Sequence, residues 1–457
     1  SPFFGNGRTN NPVFNLNSGT LSVNNIATAD ANWKTGNSCT FKMCIGTAAN
    51  TLILLGNTPF GNLNGSVNMI DLVSGGTVTQ STVIYASTNT STAQTIYTSS
   101  SDLDATPTVY PNLTFSDVSS KKVRTGDLSV EGNWTTDGGI VNLTNSTLTV
   151  TVAGDWTNTA TVNSGAGDVS VTGDLNNTGA VNESSGTFTI GNLANNSGGT
   201  FKGYTLIGAT NITGTLSNGG TITANNETIT CTGAATNTNI FTGGAGTSTF
   251  NGTFTMTAGT FAASTGDVTF NGAYSCSGGT FTGSTSSTGD VIFKAGYSNT
   301  GSGIFNAPTT GNIILSGAGN QTLTDNSATG TTMTNAQFQG GGTKTLAGTK
   351  GFFLSSAGTL TLSGNTTLAA GGVLTLNSDA TGSAIVAAIP AGCSITGNVN
   401  VQRFIDGSSP SKRGYRLMAS TVFTGSPGGI NVFDLDYRKQ EMSGSGAGGA
   451  ANGLNVT

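Results

Sequence analysis

The sequence predicts an all-β fold: a parallel β-solenoid (β-helix) of about 20 residues per coil, flanked by β-rich N-terminal and C-terminal modules. Three observations predict it. Phe241, Phe261 and Phe281 recur at 20-residue spacing, and Phe250 and Phe270 repeat the interval on a second track. A Gly-Asp-apolar element returns at 126–128, 154–156, 167–169, 173–175, 266–268 and 289–291, between turns such as Ser277-Gly278-Gly279. Charged residues make up 8% of the 457, and Gly contributes 69; a typical globular domain is roughly one quarter charged.

All three follow from stacking one coil on the next. Strands in a sheet lie about 4.8 Å apart, so a charge repeated from coil to coil would meet its like at that distance and be repelled. Gly supplies the positive-φ corners that a coil needs. Alternation such as Thr280-Phe281-Thr282 sends the ring inward and the hydroxyls outward. Each unit reads as two short strands, here 280–282 and 290–293, separated by turn residues. Phe241, Phe261 and Phe281 should then form one interior aromatic stack, with Phe250 and Phe270 beside it. Disorder does not fit, because a net charge of −5 and 22 Phe are the opposite of a highly charged, aromatic-poor chain.

Along the chain, residues 1–120 read as a β-rich N-terminal region of irregular spacing. Its apolar run Thr51-Leu52-Ile53-Leu54-Leu55 is a buried strand. Cys39 and Cys44 are close enough to close a small disulfide loop in an oxidising compartment. Residues 121–400 form the solenoid, with room for about a dozen coils, or about 60 Å at the inter-strand spacing. Residues 401–457 read as a partial β module entered at Arg403-Phe404-Ile405, with a flexible Gly/Ala loop from Gly446 to Ala451.

Several stretches resemble one family. Val109-Tyr110-Pro111-Asn112-Leu113-Thr114-Phe115, followed by Lys121-Lys122 and Gly126-Asp127-Leu128, is similar to a unit that recurs in Bacteroidetes proteins. These are repetitive cell-surface proteins secreted by the type IX system. Ala336-Gln337-Phe338 with Gly342-Thr343-Lys344-Thr345-Leu346 and Gly358–Leu362 is a second such unit. The segment from Val373-Leu374-Thr375-Leu376 through Ile395-Thr396-Gly397-Asn398-Val399-Asn400-Val401-Gln402-Arg403-Phe404-Ile405 resembles it most closely, and Arg413-Gly414-Tyr415-Arg416-Leu417-Met418 follows. In that family such a block closes a solenoid and leads into a β module. The resemblance implies secretion to the exterior or cell surface and an adhesin-like or filament-like role. The family's C-terminal sorting domain is not seen before Thr457, which suggests the front of a longer polypeptide. The start at Ser1 fits a processed product.

The residues narrow the chemistry. A pI near 4.7 and only 16 Lys and Arg oppose nucleic acid as a partner. No run of about 20 apolar residues offers a membrane span. His is absent, so a Ser-His-Asp or Cys-His arrangement cannot form. No Cys pair has zinc-ligand spacing, and Cys231, Cys276 and Cys393 read as small buried hydrophobes. Neither a metal nor a cofactor is expected. The Asp residues of the Gly-Asp-apolar turns are expected to cap their own turns, and no facing carboxylate pair is visible, so the chain is expected not to be an enzyme.

The expected function is an extracellular structural protein: a rod, stalk or filament subunit. It would self-associate or join another surface protein by strand addition at the open ends or through Ser1–Leu16. The alternative is a polysaccharide- or ice-binding module, for which the Thr187/Thr189, Thr221/Thr223, Thr253/Thr255 and Thr280/Thr282 pairs would have to share a flat face. Exposed aromatics would favour a glycan. A polysaccharide-degrading enzyme is third, and a Glu or Asp pair in a groove across adjacent coils would favour it.

Overall fold

A computed structural model describes residues 109–404, apart from 124–125, 144–146, 207, 264 and 286–288. It also describes 13–16, 18–24, 39–42, 48–59, 68–71 and 80–96. The chain divides into two compact units, Ser1–Gln402 and Arg403–Thr457. Of the second only Arg403 and Phe404 are among the described residues, so the module expected over 401–457 and its Gly446–Ala451 loop lie almost wholly outside them.

The first unit is an all-β parallel solenoid of about 13 turns averaging about 22 residues. Most coils carry three strands, not the two read from the sequence, and in Val169–Asn177 and Thr187–Asn195 the first two run on as one. In one coil these are Val268–Phe270, Tyr274–Cys276 and Thr280–Thr282. First and second strands stack into one 28-stranded sheet, and third strands into a 15-stranded sheet. Only the three residues 271–273 part the first strand from the second. Such a short corner merges the two in a sequence pattern. The second strand also lacks a constant residue: its inward position runs Trp134, Trp156, Leu175, Leu193, Leu216, Ala235, Phe254 and Tyr274.

The parallel ladder reaches back across residue 120, where the change of spacing suggests a boundary. Gly19–Val23 pairs with Asn50–Leu54, that strand with Thr82–Tyr85, that with Asn112–Ser116, and that with Trp134–Asp137, all in parallel. The Thr51–Leu54 run is a strand with Leu52 and Leu54 fully buried. A separate three-stranded parallel sheet joins Val13–Asn15, Cys39–Lys42 and Asn68–Asp71. Coil length drifts from 18 residues, between Asn177 and Asn195, to 31, between Thr51 and Thr82. Corners absorb the difference while the strands stay in register.

Three interior columns of rings run side by side. Phe241, Phe261, Phe281 and Phe305 stack at centroid distances of 4.6, 5.1 and 4.9 Å with planes within 14°. Phe250, Phe270 and Phe293 stack at 5.5 and 5.3 Å on the first strands. Phe254, Tyr274 and Tyr297, which the 20-residue search passed over, stack at 5.9 and 5.4 Å on the second. Between columns the rings meet edge to face, as in Phe254 against Phe261 at 5.6 Å and 90°. Each such pair contributes about 0.5–1.5 kcal/mol beyond the area it buries. Trp134 and Trp156 continue the second-strand column at 4.5 Å.

The corners show why Gly is so frequent. Gly279 has φ +81°, and a Cβ there would stand 2.5 Å from the Gly259 carbonyl oxygen of the coil beneath. Both the dihedral and the close approach require Gly at this position.

Candidate functional site

The three strands present different outer surfaces. First and second strands are buried at both ends, as in Val268–Phe270 and Tyr274–Cys276, and turn one residue outward. Third strands bury only the middle residue, as in Thr221–Thr223 and Thr280–Thr282, and turn two outward. This two-row face runs from Ile140–Asn142 to Ile304–Asn306. Beyond it Thr331–Met333 is buried at both ends: Asn306 pairs with Thr332, both outward, so Thr331 stands opposite the buried Phe305 and Met333 adds a second inward residue.

The two-row face is nearly neutral. One row carries Asn142, Asn163 and Asn182, whose amides bond along the stack, Asn163 Nδ2 to Asn142 Oδ1 at 2.8 Å and Asn182 Nδ2 to Asn163 Oδ1 at 2.9 Å. Lys202, Thr223, Thr242, Ala262 and Thr282 follow. The other row includes the half-exposed Ile140, Ile240 and Ile304. The Thr-x-Thr pairs do not gather on one face. Thr221/Thr223 and Thr280/Thr282 lie on third strands, Thr187/Thr189 begins a first strand and Thr253/Thr255 flanks the start of a second. The rings of the columns are inside; Phe404 is an exposed one, at 49%.

The interior polar groups are also organised in columns, which sequence reasoning missed. Thr136, Asn158, Asn177, Asn195, Asn218 and Asn237 occupy the last inward position of successive second strands and are fully or almost fully buried. Thr136 Oγ1 donates to Asn158 Oδ1 at 2.5 Å, and each Asn Nδ2 then donates to the next Oδ1 at 2.7, 2.8, 2.9 and 2.7 Å. The second hydrogen of each Nδ2 reaches a third-strand carbonyl, such as Thr200 O from Asn177 and Thr221 O from Asn195. A buried amide is satisfied only when both hydrogens and the oxygen find partners. The signal was there: Trp156-Thr-Asn158, Leu175-Asn-Asn177, Leu193-Ala-Asn195, Leu216-Ser-Asn218 and Ala235-Thr-Asn237 repeat one apolar-x-Asn tripeptide.

The Gly-Asp-apolar carboxylates reach beyond their own turns. Asp127 Oδ1 accepts the Thr149 N–H, Asp155 that of Asp174, Asp168 that of Thr187, Asp267 that of Asp290, and Asp290 that of Asn312, at 2.7–2.9 Å. Every one of these bonds crosses to the following coil. The correction has a simple cause: in a solenoid the nearest orphan backbone donor of a corner lies above it, not ahead of it.

Other ionisable groups are buried. Lys121 Nζ donates to Ser119 O and Oγ, and burial lowers it to about 8 against the pull of Asp117. Lys344 Nζ donates to Gly317 O and Gly319 O at 2.6 and 2.7 Å, and burial lowers it too. Asp325 accepts from Ser327 and from the Thr331 hydroxyl, which in turn accepts from Tyr297 Oη at 2.6 Å. Glu183 and Glu227 face each other across Thr210, whose Oγ1 lies 3.0 Å from both Glu183 oxygens and 3.1 Å from Glu227 Oε2. Sequence reading saw no such pair. It spans two coils, 44 residues apart by the numbering, but lies in the interior rather than in a groove.

Cys231 and Cys276 are buried free thiols, and burial pushes Cys231 up to about 11 and raises Cys276. Cys393 is free and half-buried. Cys39 opens the strand Cys39–Lys42, whereas Cys44 lies outside the described residues, so their pairing does too. Among the described residues no group of three or more His, Cys, Asp or Glu is placed to hold a metal ion. Compared with protein-family models, with curated proteins and with solved structures, the chain matches none.

Proposed function

We propose that the chain is an extracellular structural protein whose stacked coils form a stiff rod in a surface stalk, adhesin or filament. The observation that carries this reading is the parallel ladder from Gly19 to Val401, filled by side chains that bond or stack along its axis. Such an interior resists bending because each ring and amide is shared with the coil above and below. About 13 turns at about 4.8 Å each extend about 60 Å. The polar side chains with the most directed chemistry are spent on this column, and the outer rows carry few charges.

The alternative of a polysaccharide- or ice-binding surface has less support. The interior position of the ring columns removes stacking platforms for sugars, and the Thr-x-Thr pairs are divided among the faces. An enzyme acting on polysaccharide would need a carboxylate pair open to substrate, and Glu183 and Glu227 are enclosed.

An antibody against the chain, applied to intact producing cells and imaged by electron microscopy, tests the proposal. Decoration of stalks or filaments outside the cell is expected. Label found only in the cell interior would refute it. In solution, light scattering should show association growing with concentration as ends or edges pair.

A further inference from the structure

The corner after the third strand is longer at one coil than at its neighbours. Between Thr200–Lys202 and Ala209–Ile212 it takes the six residues 203–208, whereas the adjoining coils use the four residues 183–186 and 224–227. Three consecutive side chains of the next coil fasten it. Asn225 Nδ2 donates to Gly203 O at 2.5 Å, Asn226 Nδ2 donates to Thr205 O, and Glu227 Oε1 accepts the Tyr204 N–H. Asn225 takes φ +52°, a conformation Asn tolerates better than most residues. A Cβ on Gly203 or Gly208 would meet the Glu227 carboxylate at 2.8 or 2.7 Å, so these glycines let it into the corner. Leu206 is 62% exposed.

Behind this corner, two anions would not balance. Thr210 Oγ1 has one proton and three carboxyl oxygens within 3.1 Å. The Tyr204 N–H serves Glu227 alone. Both carboxyls thus converge on one hydroxyl, a closeness at which two acceptor-only carboxylates repel and a shared proton is favoured. No Lys or Arg supplies any of the hydrogen bonds of either glutamate. The ionisable side chains on the adjoining corners and strands are Lys202, Tyr204, Asp168, Asp174 and Cys231; Lys202 and Asp168 are exposed, Tyr204 and Asp174 half-buried, and Cys231 is buried. The neighbouring corner 243–247 carries none. One of the two carboxyls must therefore hold a proton that it donates to the other.

We propose that Glu183, Thr210 and Glu227 form a proton-loaded clasp that closes the 203–208 corner and opens when alkali removes the shared proton. Burial, and then the closeness and charge of Glu227, hold Glu183 well above the usual carboxylate range, so the clasp keeps its proton where an ordinary carboxylate has lost it. Loss of the proton leaves two negative charges in the interior with one hydroxyl between them, and the corner is the part that can move away. The clasp does not depend on where the protein works.

Limited proteolysis of the full chain tests it, because Lys202 and Tyr204 offer trypsin and chymotrypsin a bond at each end of Gly203–Tyr204. Cleavage is followed by mass spectrometry from mildly acidic to alkaline pH and normalised to an unstructured peptide with the same sites. In the wild type the normalised rate should rise by about tenfold per pH unit once the proton begins to leave. In E183Q, whose amide donates at every pH, it should stay low and flat. A flat wild-type profile, or E183Q rising as the wild type does, would overturn the clasp. Should E183Q fail to fold, infrared spectra of wild-type protein carrying labelled Glu decide the matter: a protonated-carboxyl band at neutral pH supports the clasp and its absence refutes it.

Discussion

Replacing Asn195 with Leu tests whether the buried amide column holds the coils together. Leu has nearly the branching of Asn, so the change removes hydrogen bonds with little change of volume. Asn195 accepts from Asn177 and donates to Asn218 Oδ1 and Thr221 O at 2.9 and 3.1 Å. Three groups then lose partners: one hydrogen of Asn177, Asn218 Oδ1 and the Thr221 carbonyl. A buried group left unsatisfied costs about 1 kcal/mol or more, so the loss is about 3 kcal/mol. Leu returns about 1 kcal/mol through apolar contact in the same space, leaving about 2 kcal/mol, or about thirtyfold in the local opening equilibrium. Hydrogen exchange read by mass spectrometry is the suitable assay, because solenoid stability is largely a sum over neighbouring coils. Amides of Val169–Asn177, Thr187–Asn195 and Leu216–Asn218 should exchange faster, while those of Ile313–Leu315 and Gln321–Ser327 stay unchanged. Unchanged protection at Thr187–Asn195, or equal loss along the whole stack, would refute the reasoning.

Phe261→Ala removes a ring stacked at 4.6 Å on Phe241 and 5.1 Å on Phe281, and should cost about 3–5 kcal/mol in denaturant unfolding of the coils around it. Asp290→Ala strands the Asn312 N–H and Nδ2, held at 2.7 and 2.9 Å, and should lower stability by about 1 kcal/mol, while Asp290→Asn keeps an acceptor and should melt near the wild type. Lys121 sits at about 8 when folded, below its ordinary 10.5, so the unfolded chain binds more protons between those values and stability should climb as pH rises through that window. Lys121→Met should erase that climb in denaturant midpoints measured across it. Glu183 has the opposite sign. Its folded value lies above the ordinary 4.5, so the stability it contributes is present in acid and is lost as pH rises from there.

The fold was legible where one residue type did one job in every coil. Phe241, Phe261 and Phe281 share an inward position with no break in register, and spacing alone exposed the column. The second-strand column was hidden because any large apolar side chain serves it, so that Trp156, Leu175 and Ala235 are equivalent in space but not in a search for one letter. The Asn column hid for the opposite reason. Asn is abundant in the corners, and only the apolar residue two places earlier distinguishes Asn177, which is buried, from Asn176 beside it, which is not. Glu183 and Glu227 were invisible as a pair because the intervening coil, with its longer corner, had to be placed first.

The bonds from Asp127, Asp155, Asp168, Asp267 and Asp290 to the backbone of the following winding have an evolutionary consequence. Each carboxylate recognises only an N–H at a fixed height above it, whatever residue carries it. A gene could therefore duplicate or delete one whole winding, and the fresh neighbours would find the same handholds. Length in such a molecule is a quantity that recombination can adjust, whereas the loss of part of a winding would leave strands with no match.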